Sequence, residues 1–146
     1  MAKTVKQKFS VQSNNENLIA HILLPGSKSI SNRALILKEI IAQKTGKTID
    51  IKNLSAAEDT QILISAWAQK QGSVNIQNAG TCLRFLCAYF AASEGSDIIL
   101  TGSDRMKERP IAPLIEALRN MGANIQYLEE NNCLPIQIKG TKLKGG

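Results

Sequence analysis

Chemistry in this chain concentrates first in Leu24-Pro-Gly-Ser-Lys-Ser-Ile-Ser-Asn-Arg33, where serines, a lysine and an arginine crowd the start of a helical pattern. An apolar run (Leu18, Ile19, Ala20, Ile22, Leu23) precedes it, and Pro25-Gly26 breaks that run, so the stretch reads as a strand-to-helix corner. The first N–H groups of a helix lack intrahelical acceptors and carry the positive end of its dipole. With Lys28 and Arg33 beside them, they suit a phosphate or carboxylate. The corner lacks the glycine-spaced loop of the nucleoside-triphosphate P-loop. Asn78-Ala79-Gly80-Thr81 repeats the logic before a second helix: Gly80 permits close backbone approach, and Asn78 is a natural cap. Arg84 points away from that helix's apolar stripe and is either exposed or paired. Arg105 to Arg109 is the other local concentration of positive charge.

Other reactive side chains have plainer readings. Glu58 and Asp59 form a carboxylate pair available for acid–base work, but acidic residues in a first helical turn are ordinary dipole partners. Cys82, Cys87 and Cys133 lack paired metal-ligand spacing and read as buried thiols. His21 falls in a strand pattern, where a structural role outweighs a catalytic one.

These residues need elements to hold them. Lys6 to Gln12 reads as a short strand, Ser13 to Asn17 as a turn and Leu18 to Leu24 as a strand. A helix is expected from Lys28 to about Ala42, with Ile30, Ala34, Leu37 and Ile41 as its apolar stripe and Leu35, Ile36 and Ile40 widening it. Ser29 and Arg33, four apart, share a side of it. Gln43 to Lys47 is expected as a loop and Thr48 to Lys52 as a short strand. Ser55 and Glu58 match a capping box for a helix ending at Gly72. Val74 to Gln77 reads as a strand; the following helix carries Cys82, Phe85, Leu86, Tyr89 and Phe90 on one stripe. Asp97 to Thr101 reads as a strand and Gly102 to Arg109 as a charged loop. Pro110 and Pro113 suit the first turn of a helix through Ile111, Leu114, Ile115, Leu118 and Met121 that Gly122 ends. Asn124 to Leu128 and Leu134 to Ile138 form the last two strands, the second expected at an edge because Pro135 cannot donate to a ladder.

The fold class is therefore α/β (α+β), built from repeated β-α-β-α-β-β units. Residues 1–17 are an N-terminal strand and turn, 18–72 a first β-α-β-α unit, 73–140 a second β-α-β-α-β-β unit, and 141–146 a linker or truncated end. The duplication is one of element order rather than residue identity.

Composition narrows the classes. A hydrophobic content of 43% supports a packed core, while 4% aromatic residues argues against a base-stacking surface. The net charge of +6 suits anionic partners, but its scatter argues against a nucleic-acid stripe. No apolar run is long enough to span a membrane, and the basic N-terminus lacks the hydrophobic segment of a signal peptide. A cytoplasmic protein is expected, with neither metal nor cofactor.

The three motifs together resemble the N-terminal signatures of the EPSP synthase family, the 3-phosphoshikimate 1-carboxyvinyltransferases. They are Leu24 to Arg33, Asn78-Ala-Gly-Thr81 with Arg84, and Arg105-Met-Lys-Glu-Arg-Pro-Ile111, in order across most of residues 18–140. The resemblance implies transfer of the enolpyruvyl group of phosphoenolpyruvate to the 5-hydroxyl of shikimate-3-phosphate, with release of phosphate. It implies two similar domains of three β-α-β-α-β-β units each, so this chain looks like part of the first domain, without the third unit or the second domain. Matched position by position, Lys28 is the catalytic residue contacting both substrates, and Ser29 and Arg33 contact shikimate-3-phosphate. Gly80 and Arg109 contact phosphoenolpyruvate, with Asn78 and Thr81 shaping that loop. Small anionic substrates, no nucleic acid, no membrane and a monomeric full-length enzyme are implied. An inactive isolated fragment is expected.

Two departures accompany the match. Phe85 stands where the family often has proline, and the segment between Gln71 and Asn78 is short for the family. The sister enolpyruvyl transferase acting on UDP-N-acetylglucosamine has a Gly-Ala-Lys-Asn corner instead. A small basic α/β module binding nucleic acid is the rival from another class.

Overall fold

The computed structural model describes residues 24–130 and 132–144, together with Ser10, Gln12 and His21. The strands expected at Lys6 to Gln12 and Leu18 to Leu24, and the turn between them, lie outside the described residues except at single positions; His21 is exposed and, like Leu24, in no strand.

Helix α1 spans Lys28–Thr45 and ends on Gly46, whose left-handed φ of 67° lets its N–H reach the Ala42 carbonyl at 2.9 Å. Gln43 to Thr45, expected as loop, are thus its last turn. Its buried side is also not the expected one: Ser31, Asn32 and Leu35 are buried, whereas Ile30 and Leu37 are 70% and 58% exposed. The reason is polar. Ser31 Oγ accepts the Ser55 N–H at 2.9 Å, and the Thr60 hydroxyl donates to Asn32 Oδ1 at 2.8 Å, both in buried surroundings. A buried backbone N–H needs an acceptor, and this seam supplies one where an apolar stripe could not.

Thr48 to Lys52 forms no strand, since no other described strand lies beside it to complete a ladder. Helix α2 spans Glu58–Trp67 with Ala57 as its cap residue. Ser55 does not cap it; its Oγ accepts the Ala57 N–H at 3.2 Å in a local turn, which moves Glu58 to the first helical position. The helix stops before Gly72, which lies instead in strand β1, Gln71–Asn75.

From there the order is strand β1, helix α3 (Gly80–Ala92), strand β2 (Asp97–Thr101), a one-turn helix α4 (Asp104–Lys107), helix α5 (Ala112–Asn120), strand β3 (Asn124–Tyr127) and strand β4 (Ile136–Lys139). Apart from α4, which replaces part of an expected loop, this is β-α-β-α-β-β. The single sheet among the described residues runs β1-β2-β4-β3, with β1 parallel to β2 and the β3–β4 hairpin antiparallel. Strand β4 is therefore internal and β3 is the edge. Pro135 precedes β4, and its carbonyl accepts the Leu128 N–H at 3.0 Å, so its missing donor costs the ladder nothing.

The register stacks the core face. Ile98 pairs with Ile138, which pairs with Ile125, and Val74, Leu100 and Ile136 form the next row. All six are buried, while Gln126 and Gln137 stand on the other face. Helix α3 covers this apolar face, touching β2, β4, α5, α2 and α1. It buries Cys82, Leu83, Leu86, Cys87, Phe90 and Ala91, leaving Phe85 and Tyr89 half-buried at the flank of a wider face than expected. Gln43 Nε2 donates to Tyr89 Oη at 2.8 Å and Ser93 Oγ at 3.1 Å, which ties the end of α1 to α3.

Phe90 is fully buried in this core. Phe90→Ala is expected to lower unfolding free energy by about 3–5 kcal/mol, whereas Ile64→Ala, at an exposed position of α2, should cost much less. Urea unfolding of the two variants beside the wild type checks this.

Candidate functional site

The carboxyl ends of the parallel strands β1 and β2 are where an open α/β sheet offers a crevice. The loop after β1 leads through Asn78 and Ala79 into α3, and the loop after β2 leads through Ser103 and α4 to Arg109. The two loops are joined: the Ser103 N–H donates to the Gln77 carbonyl at 3.0 Å, and the Ser103 hydroxyl donates to Asn78 Oδ1 at 2.6 Å. Asn78 is accordingly not the cap of α3. Ala79 holds that position, without a side-chain cap bond, and Asn78 spends its carbonyl on the neighbouring loop.

Gly80, the first residue of α3, is buried against arginine. A Cβ there would stand 2.5 Å from Arg109 Nη1 and 3.6 Å from Arg84 Nη1. The absence of a side chain is what lets two guanidinium groups lie over one helix start. Arg84, left open by the sequence, donates from Nη1 to the Gly80 carbonyl at 3.0 Å. Met106, the buried residue of α4, and the Arg109 N–H bond to its carbonyl at 3.2 Å hold the arginine-bearing loop. Thr81 is exposed on the first turn of α3.

Lys28 reaches the same helix start through two links. Its Nζ lies 3.3 Å from Asp59 Oδ2 in the first turn of α2, and the Cys82 thiol donates to the Asp59 carbonyl at 3.1 Å. The starts of α1, α2 and α3 are thereby linked. Ser29 and Arg33 are exposed on α1 and bonded to each other, Arg33 Nη1 donating to the Ser29 carbonyl at 3.0 Å. The structure links Lys28, Asn78, Gly80 and Arg109 around one end of the fold and sets Ser29–Arg33 along the adjoining turn of α1. At Gly26 the Leu24–Arg33 corner packs so closely that a Cβ would run into the Asn53 carbonyl oxygen.

Ser103 is the residue that sequence reasoning missed, and Asp59 is one it set aside. Asp59 is explained locally as a helix-dipole partner, and nothing in its spacing from Lys28 signals their pairing. The only signal for Ser103 is its place just after a strand. The thiols fulfil their reading as buried side chains at Cys82 and Cys87. Burial, with the Asp59 carboxylate assisting, pushes the Cys82 thiol from 9.0 up to about 12, and burial likewise pushes Cys87 up. Neither thiol is a nucleophile at neutral pH. Among the described residues no cluster of His, Cys, Asp and Glu could hold a metal ion. Chemically the arrangement suits an anion, with cationic side chains near helix N-termini.

Comparison with known proteins gives one result. The family model for EPSP synthase (3-phosphoshikimate 1-carboxyvinyltransferase) matches residues 64–146. The 3-phosphoshikimate 1-carboxyvinyltransferase of Bacteroides fragilis (strain YCH46) is 44% identical over 126 residues, 86% of this chain and 30% of that protein. The pentafunctional AROM polypeptide of Malassezia globosa is 35% identical over 185 residues, covering 100% of this chain and 11% of its own length. The solved EPSP synthase of Acinetobacter baumannii superposes with a TM-score of 0.69 at 23% identity, over 85% of this chain and 33% of that one, a likeness of fold. The chain spans only 30% of the length of the Bacteroides relative.

Two expectations follow from the geometry. Gly80→Ala should push the Arg109 guanidinium aside, since that flexible end is what a Cβ meets, and weaken binding of a small phosphate- or carboxylate-bearing anion about tenfold with little loss of stability. Isothermal titration and thermal melting of the full-length variant check the two halves. Because the folded state holds the Cys82 proton beyond the ordinary 9.0, the unfolded chain deprotonates first. The thiol's contribution to stability is thus whole below pH 9 and declines as pH rises from 9 toward 12. Cys82→Ala should flatten that decline in urea titrations run from pH 8 to about 10.

Proposed function

The chain belongs to the EPSP synthase family, and from that premise we propose that it supplies one face of the site that moves an enolpyruvyl group from phosphoenolpyruvate to shikimate-3-phosphate. The observation that carries this reading is the seating of Arg109 over Gly80 at the start of α3, with Lys28 tied to the same helix through Asp59 and Cys82. Both substrates are polyanions, and this end of the fold gathers cations and free N–H groups.

Arg109 and Lys28 take the carboxylate and phosphate of phosphoenolpyruvate, with Asn78, Gly80 and Thr81 shaping the loop around it. Ser29 and Arg33 take shikimate-3-phosphate, and Lys28 stands between the two ligands. Arginine holds a carboxylate or phosphate through two parallel hydrogen bonds, while lysine offers three donors that can be shared among neighbours.

In the reaction, the 5-hydroxyl gives up its proton to a base as its oxygen bonds to C2 of phosphoenolpyruvate, and a proton is added to the methylene carbon as the double bond opens. The tetrahedral adduct then loses phosphate, and a proton leaves the new methyl group to restore the double bond. Those proton transfers need a general acid and base, which this reading assigns to the remainder of the full-length enzyme. Lys28, Arg33 and Arg109 act here by orienting the two anions and stabilising developing charge. In this reading β1 to β4, Gln71 to Lys139, form one unit of a three-unit domain in a monomeric cytoplasmic enzyme, the boundary falling before β1 rather than after Gly72, and α1 and α2 belong to the neighbouring unit. Among the described residues no helix is long and apolar enough to cross a membrane.

The test is phosphate release by the full-length enzyme. Lys28→Ala should raise KM for both substrates and lower kcat, reducing kcat/KM by roughly 10²–10³, while Arg109→Ala should act mainly through phosphoenolpyruvate. The 146-residue chain alone serves as the blank and should release no phosphate at an enzyme-like rate. Unchanged turnover in Lys28→Ala would defeat the assignment.

A further inference from the structure

Asp59 is a carboxylate placed against a site that otherwise attracts anions, and a bystander there would repel them. Its surroundings are those of a fixed group. Its side chain is 21% exposed against 52% for Lys28, so the carboxylate is the better-buried half of the 3.3 Å pair. Its own carbonyl accepts the Cys82 thiol from α3, and the next residue, fully buried Thr60, donates to Asn32 on α1. The first turn of α2 is therefore anchored to both neighbouring helices, at Asp59 itself and at the residue that follows it. Lys28 is the opposite case, a charge on a flexible four-carbon stem at an exposed helix start.

We propose that Asp59 is the positioning residue for Lys28: it engages one of the three ammonium N–H donors and so directs the other two at the bound anions. One donor held by a rigid carboxylate leaves one for each substrate, which is the division that a lysine standing between two ligands requires. Asp59 itself touches neither ligand and acts only through the lysine. The inference rests on the enolpyruvyl-transfer reading for what the two donors meet, but not for the pairing itself.

Two measurements on the full-length protein separate these parts. In steady-state kinetics Asp59→Asn is expected to raise KM for both phosphoenolpyruvate and shikimate-3-phosphate about tenfold. The same change made on top of Lys28→Ala should add less than about twofold, because a residue acting through Lys28 has nothing left to position. A KM that holds or falls, as removal of a repelling charge would give, overturns the proposal, and so do penalties that multiply. In NMR spectra of the free protein the two ε-methylene protons of Lys28 should be inequivalent and motionally restricted, and should average in Asp59→Asn. A Lys28 signal indifferent to that substitution also overturns the proposal. Should Asp59→Asn fold poorly in thermal melts, Asp59→Glu serves instead, with a smaller change of the same sign in both readouts. A wild type that responds in the spectra but releases no phosphate sinks the enzymatic reading alone and upholds the positioning role.

Discussion

Burial of α3 is the constraint on which the rest of the structure depends. The helix presents Leu86, Cys87, Phe90 and Ala91 to neighbours on several sides and leaves little of that surface to water. A helix so enclosed cannot slide or rotate without opening voids, and core voids are costly. Its first residue is consequently held in place by apolar packing more than a turn away. Gly80 inherits that rigidity, and Arg109 and Arg84 gather over a fixed point.

Polar contacts then attach α1 to that frame. Hydrophobic area alone does not seat it, since three of its large apolar residues, Ile30, Leu37 and Ile40, face outward. What seats it are Ser31 beneath the Ser55 N–H, Asn32 beneath the Thr60 hydroxyl and Gln43 reaching Tyr89 and Ser93. Hydrogen bonds are directional where apolar contact is not, and breaking a buried one leaves its partner unsatisfied. The helix that carries Lys28 is thereby set in register and rotation by groups whose geometry tolerates little error.

The sequence disclosed what depends on local pattern. Strand β2 matches the expected Asp97 to Thr101, α5 carries Pro113 in its first turn as expected (Pro110 falls just before the helix) and ends before Gly122, and the closing hairpin lies within a residue or two of its expected bounds. In each, periodicity and turn chemistry agree with the final packing. The misses share a different cause. Which face of α1 is buried, whether Thr48 to Lys52 pairs and which strand is the edge are all decided by a partner distant in sequence, whereas Ser55 Oγ is diverted from its expected cap by a competing local turn to the Ala57 N–H. The site divides the same way. Lys28, Gly80 and Arg109 stand out by residue type at helix starts and loops, and the three motifs placed them in one family. The Asp59–Lys28 pairing and the Ser103–Asn78 bond arise only when separate elements meet.

The outward apolar side of α1 has a consequence for how the molecule behaves in bulk. Ile30 and Leu37 are seven residues apart, two helical turns, and so form one ridge with Ile40 beside its end. A ridge of this kind is adhesive toward its own kind, and the net charge of +6 works against that by keeping copies apart. Long-range repulsion of this sort fades once the Debye length shrinks to a few ångströms near molar salt, whereas apolar contact strengthens in salts that are excluded from protein surfaces. The chain's colloidal stability is thus a contest between one helix face and the whole surface charge, with ionic strength deciding the winner.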